Sequence, residues 1–364
     1  MLAAMFYGPG DVRSEKRPQP KVLTPDDAVI RVLACCVCGS DLWGYRGIDG
    51  DTGEPIEPDP NKPQKPRLTG HEAFGVVEAV GDNVTSAKVG EVVILPFSLN
   101  CGKCQECQHG ATASCQNVTF FGGPDQDGLP IDGCQGQFIR FPMAQASMFN
   151  TSLTEQEVKD KNLTKHLLTL ADVMCTGYHA AKAAQIQPGD TVAVVGDGAV
   201  GLCAVIGAKL LGAKRIIAMS RHAERAALAK EFGATDIVPE RGEAAKAAIQ
   251  KLLNGDLVDA ALECVGTKES MNQAISIVRG GGRVGYVGVP HGVELDIHQL
   301  FAQNLNLAGG MAHARHWMEE LFPKVLSGEI QPGKVFDLTL PLHDVANAYE
   351  AMDERKATKV LLKP

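Results

Sequence analysis

The sequence predicts an α/β fold, with a mostly-β domain followed by a doubly wound parallel sheet. Three observations carry this. The first third is dense in short apolar runs bounded by Gly, Pro or Asp. From about Thr164 onward, apolar strands alternate with helical runs. Gly196, Gly198 and Gly201 stand in GDGAVG, directly after an apolar strand and at the start of a helix.

In chain order, DAVIRVLACCV, EAFGVVEAVG, GEVVILP and GQFIRFP read as strands. The run from Asp49 to Arg67 is rich in Pro and acids, cannot build a core, and reads as a surface loop. HLLTLADVMCTGYHAAKAA reads as helical. TVAVVG is a strand, AVGLCAVIGAKLLG a helix, RIIAMS a second strand and HAERAALAKEFG a second helix. TDIV, a helix around Ala244 to Leu253, ALECVG, a further helix and RVGYVGV continue the alternation. The chain from about Gly309 is mixed, and KVLLKP at its end is expected to form a strand that rejoins the first domain. The expected division is 1–160, completed by 308–364, and 161–307.

The length of 364 residues suits two domains. Apolar residues make up 45% and charged residues 21%, ordinary for a soluble globular chain. A net charge of -8 without a basic block argues against nucleic acid as a partner. No apolar run approaches the roughly 20 residues of a membrane span. The N-terminal run lacks a charged n-region and an apolar h-region, so no signal peptide is expected and a cytoplasmic location is. Eleven cysteines, an odd count with Cys35 and Cys36 adjacent, fit reduced thiols better than a disulfide framework.

Cys101, Cys104, Cys107 and Cys115 have the spacing C-x2-C-x2-C-x7-C. Four thiolates can close a tetrahedral zinc site that braces a loop and does no chemistry. The alternative is two disulfides in an exported protein, which the lack of an export signal disfavours. An open site is a separate matter. Cys38, His71, Glu72 and Asp172 offer one Cys, one His and two carboxylates, a set that can hold zinc and leave a position for water or substrate. Singly, each of these residues would pass as core or surface.

In the nucleotide turn, Gly196, Gly198, Ala199, Val200 and Gly201 are expected to cradle a pyrophosphate at a helix N-terminus. The alternative is a Gly-rich turn with no ligand. The position after RIIAM, where an NAD-preferring site usually carries an acid, is Ser220, followed by Arg221. Arg221 can pair a 2′-phosphate, so NADP(H) is expected over NAD(H); otherwise Arg221 is a solvated residue at a helix start. Val265, Val287 and Val289 lie at strand ends and are ligand contacts or plain core. His179 approaches the cleft or packs. Lys359 reaches the pyrophosphate or is an exposed C-terminal lysine. Cys134, Cys175, Cys203 and Cys264 lack metal spacing and read as buried apolar residues.

Together CGSD around Cys38, GHEAFGVV around His71, the four-cysteine run, TGYHA around Thr176, GDGAVG and KVLLKP resemble the zinc-dependent alcohol dehydrogenases of the medium-chain dehydrogenase/reductase superfamily. The likeness covers nearly the whole chain. It implies a GroES-like catalytic domain, a Rossmann domain, two zincs per chain and a homodimer or homotetramer. It implies catalytic zinc on Cys38 and His71, a third ligand at Asp172 and a nearby or exchangeable carboxylate at Glu72. Ser40 would take the alcohol proton, Asp41 would support the metal site, and Thr176 would lie near the nicotinamide. Asp172, Ser220 and Arg221 place the resemblance nearer the NADP-dependent bacterial secondary-alcohol branch than the NAD-dependent liver type. One departure stands out: Trp43 occupies the position where many members carry a relay His.

The expected function is hydride transfer between a small alcohol and NADP(H). One alternative is a polyol or amino-alcohol dehydrogenase using NAD(H), which would want additional polar pocket groups; His313, Arg315 and His316 are polar residues of that kind, which the sequence does not place. Another is a non-catalytic nucleotide sensor or scaffold, which would need none of Cys38, His71, Glu72, Asp172 or Ser40. The same residues exclude a zinc-free quinone reductase of the superfamily.

Overall fold

The structure is a computed structural model that describes residues 1–50, 52–56 and 66–364. Most of the loop expected between Asp49 and Arg67 lies outside the described residues. The chain divides into two compact units, Met1–Asp172 with His313–Pro364, and Val173–Ala312.

The first unit is built on a seven-stranded sheet around the strand Ala28–Cys36. That strand is buried along nearly its whole length, as a continuous apolar run covered on both faces must be. It pairs antiparallel with Ala73–Val80, Phe138–Phe141 and Val360–Lys363. KVLLKP therefore does rejoin the first unit, with Leu361 opposite Cys36 and Leu362 opposite Cys35. Ile30, Val77, Leu95, Ile139, Phe141 and Tyr349 fill the core. The register matters for the site: Cys35 lies opposite Ala73, so Cys38 and His71 leave the strand pair at the same end.

The buried Arg140 ties one end of this unit together. It donates to Asp27 at 2.7 and 3.0 Å and also to Asp125. Asp27 is itself fully buried. A pair removed from water needs such multiple contacts to avoid a large desolvation cost.

The helical run from His166 to Ala184 is two helices rather than one. Thr164–Leu170 ends in a tight turn, where the N–H groups of Ala171 and Asp172 reach back only three residues, to Leu168 and Thr169. Its Leu167, Leu168 and Leu170 are fully buried, and it belongs to the first unit. Val173–Ala183 starts the second. Asp172 thus stands at the joint between the helices.

The second unit is a six-stranded parallel sheet. Its spatial order is Asp236–Ile237, Arg215–Met219, Thr191–Val195, Val258–Glu263, Val278–Tyr286 and Asn306–Gly309. Numbered along the chain, this is 3-2-1-4-5-6, the doubly wound order whose switch point lies beside the strand Thr191–Val195. Among the described residues, no helix is long and apolar enough to cross a membrane.

Candidate active site

Cys38, His71, Glu72 and Asp172 converge: each offers a ligand atom, and those atoms lie within 4.8 Å of one another. Asp172 Oδ2 is 3.5 Å from His71 Nε2 and 3.7 Å from Cys38 Sγ. Three chain segments supply the set. Cys38 follows the central strand, His71 and Glu72 precede Ala73–Val80, and Asp172 sits at the joint after Thr164–Leu170.

Asp41 braces the cluster from behind. Its Oδ1 is 3.3 Å from His71 Nδ1, and its Oδ2 accepts the Cys38 N–H at 3.0 Å. Holding Nδ1 this way turns Nε2 toward the other donors. Burial works against a charge on His71, yet Asp41, Cys38 and Asp172 raise its pKa well above the ordinary value.

Lys359 corrects both sequence readings, since it neither reaches for a phosphate nor stands exposed. It is 1% exposed, and its Nζ lies 2.6 Å from Glu72 Oε1. Glu72 Oε2 is buried with no hydrogen-bond partner among the described residues. That orphaned acceptor, beside a thiol, an imidazole and a second carboxylate, makes the donor set fit a zinc ion.

The second cysteine set is equally compact. Cys101, Cys104, Cys107 and Cys115 also lie within the 4.8 Å limit, all unbridged. Cys115 Sγ is 3.5 Å from Cys101 Sγ and 3.8 Å from Cys104 Sγ. Zinc–sulfur bonds of about 2.3 Å give a tetrahedron with edges of ~3.8 Å, so this spacing fits four thiolates on one ion. Backbone N–H groups of Cys101 and Asn117 point at Cys115 Sγ, each at 3.3 Å. Burial pushes the Cys101 thiol up, but donation from the Lys103 and Cys104 backbone brings it down to about 6. The helix Ala314–Leu326 and its cap back this lobe. Ala113 N–H donates to His313 Nδ1 at 3.3 Å, and the His316 ring packs on Gly110. Arg315 donates to the Met148 carbonyl and pairs with Glu319. These three residues, considered as pocket groups for a polyol, serve the first unit's packing.

In the second unit the glycine turn has the geometry of a nucleotide loop. Gly196 has φ +117, open to glycine and strained for other residues. A Cβ on Gly201 would lie 2.0 Å from the Gly196 carbonyl oxygen, so only glycine allows helix and strand this close. Gly198 faces open space and caps the helix Ala199–Leu210 without a side-chain acceptor. The first N–H groups of that helix, at Ala199 and Val200, therefore remain available to an anion.

At the end of the strand Arg215–Met219 the structure adds residues that motif reading missed. Ser220 Oγ donates to Asp197 Oδ2 at 2.7 Å, and Arg225 pairs with Asp197 at 3.4 Å. A carboxylate does stand beside Ser220, therefore, brought from the glycine turn instead of the strand end. Arg241 donates to the Met219 carbonyl at 3.1 Å. Partial desolvation and the nearby Arg221 lower the Arg241 pKa. Arg225 and Arg241 thus join Arg221 near the end of this strand. Arg225 and Arg241 lie on separate elements, which hid them from the sequence.

Val265 and Val289 are 50% and 43% exposed and Val287 is half-buried, so none is plain core. Gly196 packs against Val265. Thr176 is half-buried and His179 is buried, both on the helix Val173–Ala183. Cys134, Cys175 and Cys203 are buried as expected, whereas Cys264 is half-buried. Ser40 precedes the helix Asp41–Tyr45 and does not cap it with its side chain. Trp43, on that helix, packs against Gly50.

Residues 24–150 match the alcohol dehydrogenase GroES-like domain, and residues 199–327 match the zinc-binding dehydrogenase domain. The chain is 31% identical, over 100% of both chains, to the uncharacterized zinc-type alcohol dehydrogenase-like protein AdhB of Bacillus subtilis. It is 33% identical to a sorbitol dehydrogenase of the same organism, over 83% of this chain and 78% of that one. Among solved structures it superposes on the alcohol dehydrogenase TADH from Thermus sp. ATN1 with a TM-score of 0.85. The identity there is 29%, covering 100% of this chain and 99% of that chain.

Proposed function

We propose that this chain, which belongs to the zinc-dependent alcohol dehydrogenases of the medium-chain dehydrogenase/reductase superfamily, transfers hydride between a small alcohol and NADP(H), giving an aldehyde or ketone. The observation that carries this is the convergence of Cys38, His71, Glu72 and Asp172 on one point.

When bound, zinc supplies Lewis acidity at an alcohol oxygen and the nicotinamide supplies the hydride acceptor. Cys38, His71 and Asp172 would hold the metal. Glu72, anchored to Lys359 through Oε1, keeps Oε2 as an exchangeable ligand. Asp41 keeps a proton on His71 Nδ1 so that Nε2 stays a lone pair. Ser40 takes the alcohol proton. Trp43 cannot pass that proton on, because its indole N–H is a donor only, so the relay ends at Ser40, the cofactor ribose or water. The four-cysteine lobe would hold a second, structural zinc.

Ser220, Arg221, Arg225 and Arg241 favour a 2′-phosphorylated cofactor. Asp197 works against it, but its pairing with Arg225 neutralises much of its charge. The discriminating experiment is kcat/KM with NADP⁺ and with NAD⁺ over a panel of small primary and secondary alcohols and polyols. Preference for NADP⁺ with a simple alcohol supports the reading. Preference for NAD⁺ with a polyol supports the sorbitol-type alternative, which the Bacillus subtilis relative keeps in view.

A further inference from the structure

We propose that Gln135 and Tyr349 are positioning residues for the metal centre, acting on His71 through Asp41. The inference rests on the zinc reading of that centre.

Both side chains are fully buried. Gln135 Nε2 donates to Asp41 Oδ2 at 3.2 Å and to the Cys36 carbonyl at 2.9 Å. Gln135 Oε1 accepts the Tyr349 O–H at 3.1 Å. The Tyr349 oxygen lies 2.8 Å from Thr69 Oγ1. A phenol has one proton, and Tyr349 gives it to Gln135, so Thr69 is the donor to Tyr349.

This assigns a direction to every bond. The amide oxygen is held by Tyr349, which turns the amide NH2 toward Asp41. The groups that reach Asp41 are then the Gln135 NH2, the Cys38 N–H at 3.0 Å and His71 Nδ1 at 3.3 Å. A carboxylate surrounded this way requires Nδ1 to carry a proton, leaving Nε2 free to face Asp172 and Cys38. The contact is also steric. A Cβ on Gly70 would lie 2.4 Å from Gln135 Cγ, so Gln135 packs directly on the backbone that precedes His71. Gly70 has φ +90, a turn that aims His71 inward. The network draws on segments around Cys36, Thr69, Gln135 and the helix Val345–Asp353, which no motif spacing connects.

Two substitutions test the role. Gln135→Met keeps the length of the side chain and removes both donors. Tyr349→Phe removes only the hydroxyl. Zinc-loaded proteins are mixed with a chelating metallochromic dye, and release of the two zinc pools is followed alongside the thermal midpoint. Lost outer partners of a ligating His typically weaken a site by about 10–100-fold. The Cys38–His71–Asp172 pool is therefore expected to leave about 10–100-fold faster in Gln135→Met, and severalfold faster in Tyr349→Phe. The lobe pool and the midpoint should stay near wild type. Cobalt substituted for zinc gives a second readout, a shifted thiolate–cobalt absorption band in both variants. Wild-type release rates and band positions in both variants overturn the proposal. A wild type that takes up only the lobe zinc overturns the zinc reading, and this inference with it. If Gln135→Met does not accumulate, Tyr349→Phe decides alone.

Discussion

At Ser40, Asp197 and Arg221 a single substitution tests the proposed chemistry. Ser40→Ala is expected to lower kcat by about 10²-fold, the usual scale of lost acid–base help, with zinc content unchanged. Steady-state kinetics beside metal analysis checks this; unchanged turnover removes Ser40 from the mechanism. Arg221→Ala is expected to lower kcat/KM for NADP⁺ by roughly 10–100-fold, as loss of a charge-assisted bond to a phosphate would, and to leave NAD⁺ untouched. Asp197→Asn is expected to raise NADP⁺ selectivity by about tenfold, the scale of like charges a few ångströms apart between water and protein surface. If that variant instead loses NAD⁺ turnover, Asp197 holds the ribose hydroxyls and the cofactor reading reverses. Asp197 also shows what motif reading misses. Ser220 and Arg221 were legible because they follow a strand. Asp197 was hidden inside the glycine fingerprint, where attention falls on the glycines, and only the fold sets it 2.7 Å from Ser220. Lys359 was misread because a lysine near a chain end is usually exposed, whereas here the last strand carries it beside Glu72.

At the level of elements, the four-cysteine lobe and the buried Arg140 cluster can be tested separately as braces. The lobe spacing was legible because its four cysteines are local in sequence, whereas the convergence of Cys38, His71 and Asp172 depends on strand register and on a helix break. The register of Cys35 opposite Ala73 and the turn before Asp172 are tertiary facts, so the helical pattern from His166 to Ala184 concealed the joint. Cys107→Ser is expected to remove the lobe zinc and lower the thermal midpoint, while the Cys38–His71–Asp172 zinc remains. Differential scanning calorimetry with metal analysis checks the pair of effects. The Arg140 cluster adds a pH dependence. Burial raises the Asp27 pKa, but Arg140 and the Leu23 and Thr24 N–H groups outweigh it, and the folded-state value lies below the ordinary one. A depressed carboxylate pKa contributes stability above the unfolded value near ~3.9, and that stability is lost as pH falls through the folded value. Asp27→Asn should therefore destabilise by roughly 3–5 kcal/mol at neutral pH, leaving Arg140 under-compensated, and should flatten the acid limb of the stability curve. Urea unfolding between pH 3 and 7 measures both.

Across the whole molecule, the alternation of strands and helices made a doubly wound parallel sheet foreseeable; the structure gives its order as 3-2-1-4-5-6, with the glycine turn at its switch point. The proposed function rests on two donor clusters, to which it assigns different tasks: four thiols that would close a site, and a Cys–His–carboxylate set that would leave one open. A scaffold would need only the first. Zinc per chain, measured by mass spectrometry on the wild type and on Cys38→Ala, tests this division most directly. The account predicts two zincs in the wild type and one in the variant, with alcohol oxidation lost. One zinc in both proteins, with oxidation retained, would contradict it.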